Sequence, residues 1–290
     1  MTERVSYYPG CSLHTGAREY DLSCRRVLQA LGVYCAEVND WNCCGASSAH
    51  SAGHALSLSL PLRNLLLCQG ESERLVVPCA ACYNLLRTTT EILAVGTPEA
   101  RSVQEQVEQI MGKAYSRKVK VEHPLDLLTQ PALLARLKAQ LCQSLQGLKL
   151  APYYGCLLVR PENIAFDNPE QPQKMDLLLQ ELGADVVRWS YKTECCGGGL
   201  GITQGKATTP LVDRLVYEAK RAGAEALVTA CPLCQANLEG RQSESMPVFY
   251  FTELVGLALG LADTEAWFQA HLIDVFPLLN QVKGGSLRVR

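Results

Sequence analysis

A cysteine pattern that occurs twice along the chain restricts its fold and chemistry more than any other feature. Each copy has a single cysteine, a Cys-Cys-Gly run and a Cys-x-x-Cys run. The first copy comprises Cys11, Cys43, Cys44, Cys79 and Cys82, and the second comprises Cys156, Cys195, Cys196, Cys231 and Cys234. The offset between matching positions is 145 at the single cysteines and 152 at the later ones, which indicates a seven-residue insertion after Cys156. A repeat at this spacing predicts two related structural units.

The segments between the cysteines predict alternating strands and helices in each unit. Residues 73–77 and 226–229 are short runs rich in β-branched side chains, which is typical of strands. Residues 28–33 are echoed by residues 179–184, the end of a helical pattern with a glycine at the stop position. This alternation predicts an α/β fold with mainly parallel sheets. Because strand-to-helix turns share one edge of such sheets, the cysteine turns are expected together at the strand carboxyl ends.

Two domains of ordinary size are expected, and we place the first at residues 1–147 and the second at residues 148–290. The chain has 290 residues, enough for two separate cores. The segment from residue 97 to residue 151 is expected to complete the first unit with helices and a connection. The C-terminal tail is expected to be helical.

Composition and charge exclude several classes of function. A net charge of -2 offers no basic surplus with which to neutralise a phosphate backbone, so the sequence predicts no binding to nucleic acid. The N-terminus shows no export signal, which places the protein in the cytoplasm, with peripheral attachment to a membrane as the alternative. The longest apolar run, residues 254–262, is about half the roughly 20 residues of a spanning helix. For the overlapping apolar run at residues 251–261, core packing is the expected use, with docking to a partner or a membrane surface as the alternative.

The number of cysteines per copy points to metal ligation. Fourteen cysteines in a reducing compartment are not expected to form disulfides. A structural zinc site or a cubane iron-sulfur cluster takes four ligands, and five per copy exceeds both. A larger or distorted cluster is the leading interpretation, and a pair of structural zinc sites is the alternative. The glycine after each pair is expected to allow a positive φ or a close backbone approach, and amides in these turns are expected to donate to sulfur.

Both copies resemble the twin cysteine-rich "CCG" domains found in the B subunit of heterodisulfide reductase and its relatives. The likeness covers nearly the whole chain and includes three runs beside the cysteines, at residues 7–11, 40–42 and 192–194. It implies one noncubane [4Fe-4S] cluster in each half, with a substrate disulfide cleaved between them. The implied ligands are Cys11, Cys43, Cys44, Cys79 and Cys82 for one cluster and Cys156, Cys195, Cys196, Cys231 and Cys234 for the other.

The resemblance implies an oxidoreductase subunit that acts on a disulfide, a thiol or a sulfur carrier. No flavin or nicotinamide fingerprint is found on this chain, so electrons are expected from a ferredoxin-like iron-sulfur subunit, which a flavin-containing subunit would supply. The alternative is an electron-transfer or anchor subunit of a succinate dehydrogenase-like or quinone-linked complex without a sulfur substrate. Related anchor subunits keep one cluster and bind zinc or nothing in the other half.

Other polar residues near the motifs carry weaker hypotheses. Three histidines could contact substrate or donate protons, although solvent exposure or a bond to the backbone is the commoner role: His14, His50 and His54. Lys192 and Arg160 could attract an anionic substrate, although such side chains are usually only solvated. Four cysteines outside the repeat are expected to be small buried apolar residues: Cys24, Cys35, Cys68 and Cys142.

Overall fold

The fold comes from a computed structural model, which describes residues 3–46, 49–70, 72–201 and 204–282. Within these ranges the side chains of His50, Ser51 and Val282 are not described.

The first half alternates strands with helices, as its sequence predicts. Its strands are β1 (Glu3–Tyr7), β2 (Val33–Glu37), β3 (Arg74–Val76) and β4 (Lys120–Glu122). Its helices are α1 (Gly10–His14), α2 (Arg18–Ala30), α3 (Ala49–Ala52), α4 (His54–Cys68), α5 (Ala80–Val95), α6 (Pro98–Met111), α7 (Pro124–Leu128) and α8 (Pro131–Gln140). Proline at the first position of α6, α7 and α8 suits helix starts, because the amide there has no partner inside the helix.

The second half follows the same plan. Its strands are β5 (Lys149–Tyr153), β6 (Asp185–Val186), β7 (Ala226–Thr229) and β8 (Val248–Tyr250). Its helices are α9 (Lys174–Glu181), α10 (Gly205–Arg221), α11 (Pro232–Arg241), α12 (Phe251–Ala258), α13 (Thr264–Phe268) and α14 (Phe276–Val282). Short 3-10 turns lie at Glu162–Ile164 and Gly198–Leu200.

The two sheets have the same topology. The strand order is β2-β1-β3-β4 in the first sheet and β6-β5-β7-β8 in the second, and every neighbouring pair is parallel. The predicted α/β repeat with parallel sheets is therefore confirmed. Each sheet also has a fourth strand, β4 or β8, that the sequence analysis did not identify.

The halves pack against each other through a shared core. One apolar cluster contains buried side chains from both halves, among them Leu28 of α2 and Leu254 of α12. Helix α12 is buried along its whole length, which confirms core packing as the use of this apolar run. The first sheet ends at Glu122 and the second begins at Lys149, so the proposed domain boundary near residue 147 falls between them.

Candidate metal centre

All ten cysteines of the repeat line one cavity. Its volume is about 330 Å³, and it lies beyond the carboxyl ends of the strands of both sheets. The thiols that line it are Cys11, Cys43, Cys44, Cys79, Cys82, Cys156, Cys195, Cys196, Cys231 and Cys234. The two sets therefore face a common space and do not form two distant sites.

Each cysteine reaches the cavity from a turn that follows a strand. Cys11 lies in α1 directly after β1, and the pair Cys43 and Cys44 follows β2. Cys79 caps the N-terminus of α5, which places Cys82 in the first turn of that helix. The second half repeats this arrangement after β5, β6 and β7, with the cap of α11 at Cys231. Parallel strands thus bring residues distant in sequence to one sheet edge.

Thiol groups contact one another within each set and interact between the two sets. Cys44 Sγ lies 3.2 Å from Cys82 Sγ, and Cys196 Sγ lies 3.5 Å from Cys234 Sγ. These separations far exceed the roughly 2.05 Å of a disulfide bond. The Cys231 thiol raises the pKa of Cys79 across the boundary between the halves. The Cys-x-x-Cys turns are therefore the point where the two sets interact.

The glycine after each cysteine pair has the predicted conformation. Gly45 has φ +88° and Gly197 has φ +79°, in the left-handed region. A Cβ atom at Gly45 would lie 2.7 Å from Ala49 Cβ, and one at Gly197 would lie 2.8 Å from Thr208 Cγ2. Only glycine fits both the backbone angle and the space.

Backbone amides in the turns donate hydrogen bonds to cysteine sulfur. The Gly45 amide donates to Cys43 Sγ at 3.4 Å, and the Gly197 amide donates to Cys195 Sγ at 3.3 Å. Such bonds stabilise negative charge on the sulfur atoms.

Each set holds thiols of lowered pKa beside thiols of raised pKa. Hydrogen bonding with the Cys43 and Cys82 thiols lowers the pKa of Cys44 to about 3. A hydrogen bond from the Cys156 thiol lowers the pKa of Cys195 to about 6. The same hydrogen bond raises the pKa of Cys156. Both sets can therefore supply thiolate, the form that binds metal.

A tyrosine in each half positions the cysteine pair. The Tyr8 hydroxyl donates to the Asn42 carbonyl at 2.8 Å, and the Tyr153 hydroxyl donates to the Glu194 carbonyl at 2.7 Å. Asn42 and Glu194 are the residues directly before the two pairs. The repeated tyrosine was visible in sequence, but its partner was not, because the bond spans 34 residues in one half and 41 in the other.

The donor set fits an iron-sulfur group with several metal ions. Ten soft thiol donors surround a single cavity, and part of them are held as thiolates by hydrogen bonds. Among the described residues, no three His, Cys, Asp or Glu side chains are arranged to hold one metal ion alone. The remaining lining is largely apolar and includes Leu85, Leu157 and Leu233.

His14, His54, Lys192 and Arg160 are absent from the described lining of the cavity. His14 is exposed and pairs with Glu37, and His54 is exposed at the start of α4. The side chain of His50 lies outside the described residues. Lys192 is buried and forms an ion pair with Asp176, and Arg160 pairs with Glu170 on the surface. Neither cation is among the described residues that line the cavity, so neither hypothesis of substrate attraction is supported.

The four cysteines outside the repeat are absent from the described cavity lining. Cys24 and Cys68 are buried and Cys35 is half-buried, in agreement with a packing role. Cys142 is exposed, so the expectation that it is buried is wrong. It follows the end of α8, where the chain runs along the surface towards the second half.

Curated relatives of similar length belong to reductase complexes. The chain is 28% identical to the 8-methylmenaquinol:fumarate reductase membrane anchor subunit of Wolinella succinogenes, over 96% of this chain and 100% of that protein. It is 26% identical to the B subunit of the ferredoxin/F420H2-dependent CoB-CoM heterodisulfide reductase of Methanosarcina acetivorans, over 96% of this chain and 97% of that protein. It is also 26% identical to a protein of Archaeoglobus profundus named as similar to the B subunit of heterodisulfide reductase, over 89% of this chain and 91% of that protein.

A solved structure shares the fold. The crystal structure of a hypothetical protein from Helicobacter pylori superimposes with a TM-score of 0.73 at 11% identity, over 94% of this chain. The chain spans about half of that protein, 52% of its length. In the part of the chain that the structure describes, no helix has the length and apolar character needed to cross a membrane.

A family model for the cysteine-rich domain named CCG matches residues 5–87 and 150–239. The two matched segments contain the two cysteine sets and both Tyr positions that orient the pairs. Together with the repeated parallel sheets and the shared cavity, this match shows that the chain belongs to the CCG family of cysteine-rich domain proteins.

Proposed function

We propose that this chain is the catalytic iron-sulfur subunit of a heterodisulfide reductase-like complex, which reduces or forms a disulfide or a related sulfur bond. The observation that carries the proposal is that two complete sets of five cysteines line one cavity. Two relatives named as the B subunit of heterodisulfide reductase, or as similar to it, match nearly the full chain. These relatives and the family support a general role in iron-sulfur electron transfer.

The proposed cofactors are two noncubane [4Fe-4S] clusters, one held by each cysteine set. When bound, each would supply one electron and an iron atom able to take one sulfur. Reduction of a disulfide consumes two electrons and two protons and yields two thiols, so two one-electron centres beside one S–S bond meet the requirement. No flavin or nicotinamide is proposed on this chain, and zinc in one half is the minority alternative.

The chain's own residues bind and shape the site in this proposal. Amides after the cysteine pairs stabilise negative charge on the sulfur ligands. Tyr8 and Tyr153 fix the backbone that carries those pairs. The side chains of Leu85, Leu157 and Leu233 give the space around the sulfur atoms an apolar wall. An apolar wall favours an uncharged S–S bond over competing polar molecules.

Electrons are proposed to arrive from partner subunits in the cytoplasm. A ferredoxin-like iron-sulfur subunit would be the immediate donor, and a flavin-containing subunit would supply it with electrons. The relative from Methanosarcina acetivorans is named as part of a ferredoxin- or F420H2-dependent reductase. Residues 1–147 and 148–290 would each contribute one cluster-binding domain.

Metal analysis of protein purified without oxygen tests the two-cluster proposal. We expect about eight iron atoms and a matching amount of acid-labile sulfide per chain, because two four-iron clusters are proposed. Cys44→Ser and Cys196→Ser should each remove about half of the iron. Cys142→Ser is the matched control and should leave the iron unchanged, since this thiol is exposed and outside the cavity lining described here. About four iron atoms or fewer with stoichiometric zinc would overturn the proposal.

A second function is favoured by the relative from Wolinella succinogenes, which matches over its whole length and is named as a membrane anchor subunit. In this alternative the chain passes electrons to a quinone or partner enzyme and binds no sulfur substrate. Addition of a small thiol to the oxidised protein separates the two. A changed electron paramagnetic resonance (EPR) signal supports sulfur binding at iron, and an unchanged signal supports the relay.

A further inference from the structure

The two Cys-x-x-Cys turns are joined through their backbones. Each turn is preceded by a residue whose carbonyl points to the boundary between the halves, Pro78 in the first half and Ala230 in the second. These residues directly precede Cys79 and Cys231, which both line the shared cavity. The position of the two carbonyls therefore sets the separation of the two turns.

Two buried side chains each contact both carbonyls. The Tyr20 hydroxyl donates to Pro78 O at 3.1 Å and to Ala230 O at 3.3 Å. The His123 Nε2 atom lies 2.8 Å from Pro78 O and 3.2 Å from Ala230 O. Both residues have 0% exposure. Two donors thus bridge two acceptors across the boundary, and each carbonyl has both of its lone pairs engaged.

The partners of His123 determine its protonation. Both neighbours of Nε2 are carbonyl oxygens, which only accept, so Nε2 carries the proton. The other ring nitrogen, Nδ1, accepts from the Leu125 amide at 3.1 Å and therefore carries none. Burial lowers the pKa of His123 to about 4, which agrees with this neutral form. The imidazole can act as a fixed hydrogen-bond donor and holds no charge beside the thiols.

Aromatic rings from the second half hold the two bridging side chains in place. Tyr20 stacks on Tyr250 with ring centroids 4.2 Å apart, and His123 stacks on Phe166 at 5.7 Å. Phe251 contacts both bridging rings. The donors come from the first half and their supports from the second, so the bridge forms only when the halves are docked.

The two halves differ at the residue that follows their fourth strand, and only the first half has a bridging donor there. His123 directly follows β4, and the residue that directly follows β8 in the second half is Phe251. Both positions carry an aromatic ring, but only His123 has a hydrogen-bond donor. The first half supplies His123 and Tyr20, and the second half supplies an apolar ring that packs on them.

We propose that Tyr20 and His123 are positioning residues that set the distance between the two Cys-x-x-Cys turns and, through it, between the two metal groups. The part that concerns the two turns rests on the contacts described here. The part that concerns the two metal groups rests on the function proposed above. Two one-electron centres can act on one S–S bond only at a fitting separation, and a displacement of about 1 Å in such sites can cost roughly 100-fold in rate. The bridge supplies that separation without touching the metal ligands.

The test uses Tyr20→Phe, His123→Phe and the double variant, which remove the donors and keep an aromatic ring at each position. The first readout uses metal-free protein, in which a diazene oxidant takes two hydrogens from a pair of thiols and leaves a disulfide. We expect the yield of the peptide pair cross-linked through Cys79 and Cys231, measured by mass spectrometry, to fall several-fold in the double variant. Each single variant keeps one bridging donor and should show a smaller fall.

The second readout uses protein loaded with iron and sulfide. At unchanged iron content, the magnetic interaction between the two centres in the EPR spectrum should weaken in the double variant. Tyr7→Phe is the matched control, because it removes a buried hydroxyl that bonds to Asp21 and not to the bridge. Both readouts should remain at the wild-type level in this control.

The outcomes separate the bridge from the proposed function. An unchanged cross-link yield in the double variant overturns the bridge. A lower yield with an unchanged magnetic interaction overturns its effect on the metal groups. A lower yield in a protein whose wild type binds fewer than two clusters supports the bridge and rejects the proposed function. If the double variant fails to fold, the two single variants decide by the same criteria.

Discussion

At the residue scale, the glycine before the first cysteine of each set lets the backbone approach the last cysteine of that set. Gly10 has φ +70°, and a Cβ atom there would lie 2.9 Å from Cys82 Sγ. Gly155 has φ +67°, and its Cβ atom would lie 3.2 Å from Cys234 Sγ. Because glycine has no side chain, the backbone beside the first cysteine can lie close to the sulfur of the last cysteine in both halves.

Gly10→Ala is expected to reduce metal binding beyond its effect on stability. The left-handed backbone costs about 1–2 kcal/mol for a residue with a Cβ atom, and the new methyl group displaces the Cys82 sulfur. Gly112→Ala is the matched control, since Gly112 has φ +62° with no atom within 4 Å of its Cβ position. Denaturation of the metal-free proteins should give similar losses of stability, whereas iron content after reconstitution should fall only for Gly10→Ala. Equal iron in both variants would contradict the role of close approach.

At the element scale, a buried ionic group ties the last helices of the second half together. His271 follows α13, and its Nδ1 atom lies 2.7 Å from Glu239 of α11 while its Nε2 atom lies 3.1 Å from Glu253 of α12. The Glu253 carboxylate also accepts from the Tyr250 amide at the start of α12. All three charged side chains are 0–1% exposed. Because Cys231 is the N-cap of α11 and Cys234 lies in its first turn, this group supports the helix that positions two thiols of the second set.

Loss of this histidine is expected to destabilise the fold in a pH-dependent way. Burial alone lowers the pKa of His271, but the charge of Glu253 and hydrogen bonds to both carboxylates raise it to about 10. The unfolded value is about 6.5, so the stabilisation is fully present below pH 6.5 and is lost as pH rises towards 10. His271→Gln should cost about 3 kcal/mol at pH 6. The free-energy difference from wild type, measured by urea denaturation, should shrink between pH 7 and pH 10. A constant difference would rule out a charged His271.

At the scale of the whole molecule, the two halves share polar contacts as well as a core. Ser23 Oγ lies 2.7 Å from Thr252 Oγ1, and the Tyr83 hydroxyl donates to the Ile164 carbonyl at 2.9 Å. The Asn84 side chain donates to two carbonyls of the loop after Cys156, those of Leu157 and Arg160. Asn84 and Leu157 both line the cavity, so the shape of the site depends on docking of the halves.

We therefore expect the halves to unfold together in metal-free protein, because a shared core couples their stabilities. Trp41 reports on the first half, and Trp189 and Trp267 report on the second. Urea denaturation of Trp41→Phe and of the double variant Trp189→Phe/Trp267→Phe, followed by fluorescence, should give one transition in each at similar midpoints. Circular dichroism of the same variants shows how far the substitutions themselves shift the midpoint. Fluorescence midpoints that differ by clearly more than this shift would show that the halves unfold independently.

The strands and helices that carry the cysteines could be predicted because their signals are local. The runs at residues 73–77 and 226–229 fall on β3 and β7, and the repeated motifs fall on matching turns. The contacts of polar side chains could not be predicted in this way. Lys192 was a candidate for substrate attraction, but its partner Asp176 lies 16 residues earlier on α9. Such a pairing depends on how a helix packs on its sheet.

Spacing and periodicity are properties of neighbouring residues, so they were enough to predict the repeated α/β unit and the two five-cysteine sets. The shared cavity and the bridge between the turns became visible only once the chain was folded. Tyr20 and Ala230 are separated by 210 residues and His123 and Ala230 by 107. No local pattern encodes contacts at such separations, since they exist only after two independently patterned halves bury a common apolar surface.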